Sequence, residues 1–292
     1  MHWPKIALIG VGLLGGSIGL AGRQRRIAER IVGYVRRPAS VVECERLRLV
    51  DQVSVDLMET VQGADLIVLC TPLGQMREMA LKLSEDLAPG ALVTDVGSVK
   101  APVIQDLEPI VTSAGGEFLG SHPMAGGEKV GPTAARADLF ERAVCAITPT
   151  ANSRAETIRK IEDFWTSVGA TPLRIPAELH DDLVSRSSHL PHVVAAELSN
   201  YVLSPVHPKE QLLLCANGFR DTTRIASGSP EMWRDISLSN RRNLARVLGV
   251  FIEDLQEFQL ALETDDRKAI EEFFTHAKQR RDQWNGQSSS SE

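Results

Sequence analysis

The chain has 292 residues and an ordinary globular composition, enough to bury one large core or two smaller ones. Its net charge of -6, with no dense basic stripe, excludes a general nucleic-acid binder. Cys44, Cys70, Cys145 and Cys215 are far apart and form no C-x-x-C pair, which argues for reduced, buried thiols rather than a metal site or a disulfide framework.

The apolar run from Lys5 to Ile9 leads directly into Gly10-Val11-Gly12-Leu13-Leu14-Gly15 and then into a helix-like pattern. A G-x-G-x-x-G run is a weak signal alone. Between a strand and a helix it reads as a dinucleotide-binding turn. Gly10 permits the tight turn, Gly12 lets a pyrophosphate approach the backbone, and Gly15 allows the helix to pack close to the strand. The free N–H groups at the helix start, around Leu13 and Leu14, then attract phosphate. A first strand this close to the N-terminus leaves no room for a signal peptide. No apolar run is long enough to span a bilayer, so a soluble, cytoplasmic protein without membrane contact is expected.

Further strands are expected at 31–35, 65–70, 91–95, 117–120, 143–147 and 171–175, with helices at 40–50, 75–86, 100–111 and 153–167. This alternation predicts an α/β, doubly wound, mostly parallel Rossmann-like sheet over 1–176. After Pro176 no strand-like run remains. Helices at 178–204, 209–227, 231–262 and 265–284 predict an all-α domain over 177–286, followed by a solvated tail at 287–292. Leu244, Val247, Leu248, Phe251, Ile252, Leu255 and Phe258 recur at helical spacing. Such a stripe is buried either inside the bundle or against a second subunit, and sequence does not separate the two.

Ligands bind beyond the carboxyl ends of strands in open α/β sheets. Thr71-Pro72, Gly97-Ser98 and the small-residue segment around His122 each follow a predicted strand, so all three are expected to open on the crevice of the glycine turn. A histidine there is suited to proton transfer near neutral pH.

Five segments occur in order: Gly10–Ser17, Asp95-Val96-Gly97-Ser98-Val99-Lys100, His122-Pro123-Met124-Ala125-Gly126, Ser188-His189-Leu190-Pro191-His192 and Gly218–Ala226. Together they resemble the prephenate/arogenate (cyclohexadienyl) dehydrogenase family of tyrosine biosynthesis, from residue 5 to about 250. No chorismate mutase segment fits before Lys5 and no ACT domain after Trp284, so the single-function form is expected. The resemblance implies NAD(P)-dependent oxidative decarboxylation of prephenate, arogenate or both. It implies His122 as the catalytic histidine, Ser98 as a serine that orients the substrate hydroxyl or the histidine, and His180 and His192 as substrate-site residues. The apolar stripes of the C-terminal helices lead to the further expectation of a homodimer through the helical domain.

The small-molecule substrate carries carboxylates. Arg224 is the expected bidentate clamp, from its own subunit or a neighbour's, with Glu128 as its partner at the entrance or else a solvated loop charge. On one straight helix His180 and His192 stand about 120° apart, so a kink at Pro191 or an early helix start is needed to bring them together. His189 is expected to be structural, and Trp233 to be core. The second strand is followed by Arg36, Arg37 and Ser40, with no acidic residue to hold a ribose hydroxyl. That favours NADP over NAD, although two solvated arginines would leave NAD binding intact.

Two other functions would leave different residues in the chain. A β-hydroxyacid dehydrogenase would show a catalytic lysine in 177–204, and there is none. A non-catalytic dinucleotide sensor would not need Ser98, His122 and Arg224 together.

Overall fold

The computed structural model describes residues 2–127 and 129–289. The strands are β1 Trp3–Ile9, β2 Ala28–Tyr34, β3 Gln52–Ser54, β4 Leu66–Leu69, β5 Leu92–Asp95, β6 Glu117–Pro123, β7 Val144–Thr148 and β8 Thr171–Arg174. They form one sheet in the order β3-β2-β1-β4-β5-β6-β7-β8. Between them lie helices α1 Leu13–Arg25, α2 Pro38–Arg46, α3 Leu57–Val61, α4 Leu73–Leu83, α5 Ala101–Ser113 and α6 Ala155–Ser167.

The central strands read as continuous apolar runs because both faces of a parallel sheet are covered. Ile6 and Leu8 of β1 enter one core with Ile18, Phe164 and Trp165. Ala7 and Ile9, pointing the other way, enter a second core with Met76, Leu83 and Leu107. The chain reverses direction across the sheet between β1 and β4, and Gly10 closes β1 at that point.

Sequence and structure differ at β3 and α3. Neither is long enough to establish a period, although Asp56 caps α3 by accepting from the N–H groups of Met58 at 2.9 Å and Glu59 at 3.1 Å. β6 runs on through Pro123, so His122 sits on the strand and not in the loop after it. The extension is held by β7, which pairs antiparallel with His122 opposite Ala146. Among the described residues, the segment joining β6 to β7 contains one short 3-10 turn at Pro132–Ala134 and no crossover helix, and the chain returns antiparallel.

Helices α7 Ala177–Val184, α8 Leu190–Val202, α9 Glu210–Leu213, α10 Asn217–Thr223, α11 Pro230–Ser239, α12 Arg241–Glu263 and α13 Arg267–Ser289 complete the described chain. Residues 1–241 and 242–292 form two compact units. The division falls later than the change of sequence character at Pro176, because Asp181 of α7 caps α5 and α11 approaches α4. The stretch expected as a single helix over 231–262 is interrupted at Asn240, which ends α11. α13 runs through Ser289, past the expected start of the tail at 287, since lengthening an existing helix requires no new nucleus. In the second unit Phe258 packs on Phe273 with ring centroids 4.5 Å apart, while Ile252, Leu255 and Phe274 remain exposed. No described helix is long and apolar enough to cross a membrane. All four cysteines are free, and Cys44 and Cys145 are buried.

Candidate active site

The glycine turn has the three properties read from its spacing. Gly10 adopts a φ of +103°, in the left-handed region. A Cβ on Gly15 would lie 2.0 Å from the carbonyl oxygen of Gly10, so α1 docks on β1 only with glycine there. A Cβ on Gly12 would meet nothing within 4 Å, which leaves the open approach that a pyrophosphate requires. Leu13 and Leu14 form the first turn of α1, with Gly12 as its N-cap, so their N–H groups belong to the unsatisfied helix start.

Thr71 and Pro72 follow β4, and Pro72 caps α4. Thr71 Oγ1 is buried without a hydrogen-bond partner among the described residues. An orphaned hydroxyl beside an open glycine turn fits a site built for a polar cofactor. Arg36 and Arg37 are exposed at the end of β2, and neither forms an ion pair among the described residues. Ser40 lies in the first turn of α2 and donates its N–H to the Arg37 carbonyl at 2.9 Å.

The loop carrying Ser98 is fastened from below. Asp95, fully buried, accepts from the Gly97 N–H at 2.8 Å and the Ser121 N–H at 3.0 Å, and it forms an ion pair with the buried Lys100 ammonium. Lys100 Nζ also donates to the Ser121 carbonyl at 2.7 Å. Trp165 Nε1 donates to Ser121 Oγ at 3.0 Å. These contacts lock the Gly97–Ser98 turn to the strand that presents His122. Ser98 itself is half-buried and makes no side-chain hydrogen bond among the described residues.

His122 is 8% exposed, and its Nδ1 lies 2.9 Å from Nε2 of His180. The other His180 nitrogen, Nδ1, lies 2.8 Å from Asp181 Oδ1. Burial first, then the neighbouring His180, Lys100 and His189, hold the His122 imidazole well below the usual histidine range. It is therefore neutral at neutral pH, the form able to accept a proton.

His180, expected at the substrate site, is buried with both ring nitrogens hydrogen-bonded to protein partners, and through Nε2 it supports His122. His180 and His192 are not on one straight helix. A π-helical turn at Ser185–His189 separates α7 from α8 directly before Pro191. Pro191 has no N–H for a regular helical bond, and the wider turn absorbs the break.

His189 is buried, and burial lowers its pKa to about 4. Its Nδ1 accepts from Asn240 Nδ2 at 3.2 Å, and Asn240 also donates to the Asp181 carbonyl at 2.8 Å. This structural setting matches the expectation for His189. Trp233, expected in the core, instead lines a cleft of about 450 Å³ together with His192, Asn200, Ile225 and Arg234. Its indole stacks on His192 with centroids 3.7 Å apart. His192 donates from Nδ1 to the Ser188 carbonyl at 2.8 Å, which leaves Nε2 as the nitrogen not used in that bond. Burial also lowers the His192 pKa. Trp233 Nε1 and His189 Nε2 are buried donors with no partner among the described residues, so a ligand bearing acceptor atoms would satisfy them.

Arg224 is exposed and opens the 3-10 turn Arg224–Ser227, whose Ile225 and Ala226 line the cleft. Glu128, its expected partner, lies outside the described residues. Spacing does not reveal Asp181 or Asn240 as partners of these histidines; for Trp233 the available signal is an aromatic residue three positions after Pro230, on the first turn of a capped helix. No group of His, Cys, Asp or Glu among the described residues is arranged to hold a metal ion.

A family model described as the prephenate dehydrogenase nucleotide-binding domain matches residues 18–173, and one described as the prephenate dehydrogenase dimerization domain matches 176–279. The chain is 34% identical over 282 residues to the cyclohexadienyl dehydrogenase of Zymomonas mobilis, covering 96% of this chain and 95% of that protein. It superposes on the prephenate dehydrogenase of A. aeolicus, solved with hydroxyphenyl propionate and NAD+, at a TM-score of 0.89, 31% identity and coverage of 96% and 98%. The arogenate dehydrogenase of Synechocystis aligns at a TM-score of 0.79 and 28% identity, over 96% of this chain and 99% of that one.

Proposed function

The chain belongs to the prephenate dehydrogenase family, and on that basis we propose that it catalyses NAD(P)-dependent oxidative decarboxylation of prephenate, arogenate or both. The observation that carries this reading is the neutral, buried His122, tied through Nδ1 to His180 at the carboxyl edge of the sheet. β5 and β6 are adjacent in that sheet, so the Ser98 turn and His122 open on the same edge as Gly10 and Thr71.

Gly10, Gly12, Gly15, the helix start at Leu13 and Leu14, Thr71, Pro72 and Gly97 would hold the dinucleotide. The bound dinucleotide would supply the acceptor for the hydride of the ring carbon that carries the substrate hydroxyl. His122 accepts the hydrogen bond of that hydroxyl and draws its proton as the hydride departs. The ring carboxylate leaves as CO2, and its bonding pair completes the aromatic ring. Aromatisation supplies the driving force, so the protein's share is alignment and the polarisation of one proton. A positioned general base of this kind contributes roughly 10²–10⁴-fold. Ser98 orients the same hydroxyl.

His192 and Trp233 form the wall of the substrate cleft, and Arg224 clamps a carboxylate. The exposed apolar residues of α12 and α13 support a homodimer through the helical region, with the functional division near residue 176. Arg36 and Arg37, exposed at the end of β2 and without an ion pair among the described residues, support a preference for NADP over NAD. A steady-state assay of prephenate and arogenate, each with NAD+ and NADP+, tests the reading. Formation of reduced cofactor with at least one pair supports it, and no turnover with any pair overturns it.

A further inference from the structure

The hydrogen-bond geometry around His122 determines more than its charge. The carboxylate of Asp181 accepts the backbone N–H groups of Lys100 at 2.7 Å and Ala101 at 2.9 Å, at the N-terminus of α5. It is fixed from two sides, and its carbonyl is held by Asn240 at 2.8 Å. A carboxylate only accepts. The 2.8 Å contact from Asp181 Oδ1 to His180 Nδ1 therefore places the His180 proton on Nδ1. In the neutral ring this leaves a lone pair on His180 Nε2. Against a neutral His180, the 2.9 Å contact between His180 Nε2 and His122 Nδ1 has His122 as the donor, with its proton on Nδ1 and its bare nitrogen at Nε2.

Resting on the dehydrogenase reading above, we propose that Asp181 and His180 are positioning residues that fix the tautomer of His122, leaving Nε2 as the lone pair available to the substrate hydroxyl. When Nε2 takes the hydroxyl proton, His122 becomes an imidazolium whose Nδ1–H still points at His180 Nε2. The positive charge is then balanced through His180 by the Asp181 carboxylate. No proton needs to leave the chain, and it returns from Nε2 to the phenolic oxygen as the aromatic product forms. The opposite tautomer, with the proton on Nε2, could not accept from the hydroxyl, and a base held in the wrong tautomer loses most of its rate. The other charged and titratable groups bearing on His122 are Lys100 from the loop before α5, and His189 from the π-helical turn. Lys100 is neutralised by Asp95, and His189 is held neutral by burial, so neither supplies an alternative acceptor to Nδ1.

The proposal is tested on resting, full-length enzyme by two-bond proton–nitrogen NMR correlation of the histidine rings, together with steady-state kinetics. Wild-type His180 and His122 are each expected to show a protonated Nδ1 and a bare Nε2. His180→Leu keeps bulk and the Asp181 caps but removes the acceptor. It should leave His122 with both tautomers populated and lower kcat about 10²-fold, with KM for the cofactor within about twofold. His180→Gln, whose amide oxygen accepts the same N–H, should restore the Nδ1–H tautomer and at least about tenfold of the lost kcat. A purely structural role would change thermal stability without moving the tautomer. A wild-type His180 protonated on Nε2, or His180→Leu with wild-type tautomer and kcat, overturns the proposal. If His180→Leu fails to fold, His180→Gln decides alone: a folded variant that loses both the tautomer and the rate also overturns it. Absence of turnover by the wild type with either substrate would defeat the functional reading instead, while the ring tautomers of the resting enzyme still decide this one.

Discussion

Nδ1 of His122 and Nε2 of His180 are 2.9 Å apart although 58 residues separate them in the chain. The contact joins the antiparallel end of β6 to the first helix after the sheet. It therefore makes the geometry of the base depend on α7 as much as on the strand that carries it.

His122→Asn should lower kcat by two or more orders of magnitude, the loss of roughly 10²–10⁴-fold expected for a positioned general base. Cofactor KM should hardly change, because the glycine turn is untouched. Stopped-time and steady-state kinetics on the purified variant check this, and a wild-type kcat would remove His122 from the chemistry.

The depressed histidines also set the pH dependence of stability. Above about 6.5 both folded and unfolded chains carry neutral imidazoles, and these groups contribute no slope. Below that, the unfolded chain takes up protons that buried His122, His189 and His192 refuse, so stability falls as pH drops. For His189 the loss develops between about 6.5 and its folded value of about 4, and approaches about 3 kcal/mol. Urea unfolding at a series of pH values should show this decline. A flat profile between pH 7 and pH 4 would contradict the burial of these rings.

Much of this architecture was legible because it is local. Lys5–Ile9 followed by Gly10, Gly12 and Gly15 is a strand, a turn and a helix in one short stretch, and each glycine has the predicted surroundings. β3 and α3 were illegible because three and five residues do not establish a period. The site was half legible for the same reason. His122 could be placed by its strand, but its link to His180 spans two elements. Its second partner shell, Asp181 and Asn240, is polar for the sake of contacts that no spacing reveals. An indole in this pattern predicts a core residue, yet the Trp233 ring stacks on His192 at the cleft wall. A π-helical turn at Ser185–His189 separates His180 from His192, so the offset of about 120° on one ideal helix does not apply to them.

Two glycines of the turn should separate folding from cofactor binding. Gly15→Ala places a Cβ 2.0 Å from a backbone oxygen, and should destabilise the fold by about 1–3 kcal/mol or more. Gly12→Ala meets nothing within 4 Å, so its stability should stay within about 1 kcal/mol of wild type. Cofactor affinity should nonetheless fall on the order of tenfold, equivalent to about 1.4 kcal/mol. Thermal melts paired with cofactor titration give both quantities. Comparable losses of stability in the two variants would refute the distinction.

Replacing Arg36 and Arg37 with neutral residues should raise KM for NADP much more than KM for NAD. Both side chains are exposed and form no ion pair among the described residues, so their loss should leave stability within about 0.5 kcal/mol. Equal effects on the two cofactors, or a wild-type preference for NAD, would end the assignment.

Arg224→Ala should raise KM for the cyclohexadienyl substrate by the cost of leaving a bound carboxylate unpaired, roughly 2–5 kcal/mol. Cofactor KM should change little, since the glycine turn is untouched. The same residue tests the assembly. Exposed Ile252, Leu255 and Phe274 leave apolar helix surface that a two-fold interface would bury. If Arg224 reaches across that interface, mixing Arg224→Ala with His122→Asn should regenerate activity, because a mixed dimer then contains one site with both residues intact. No recovery, with subunit exchange confirmed, would place Arg224 in its own subunit's site. A monomer by light scattering at working concentration would refute the dimer.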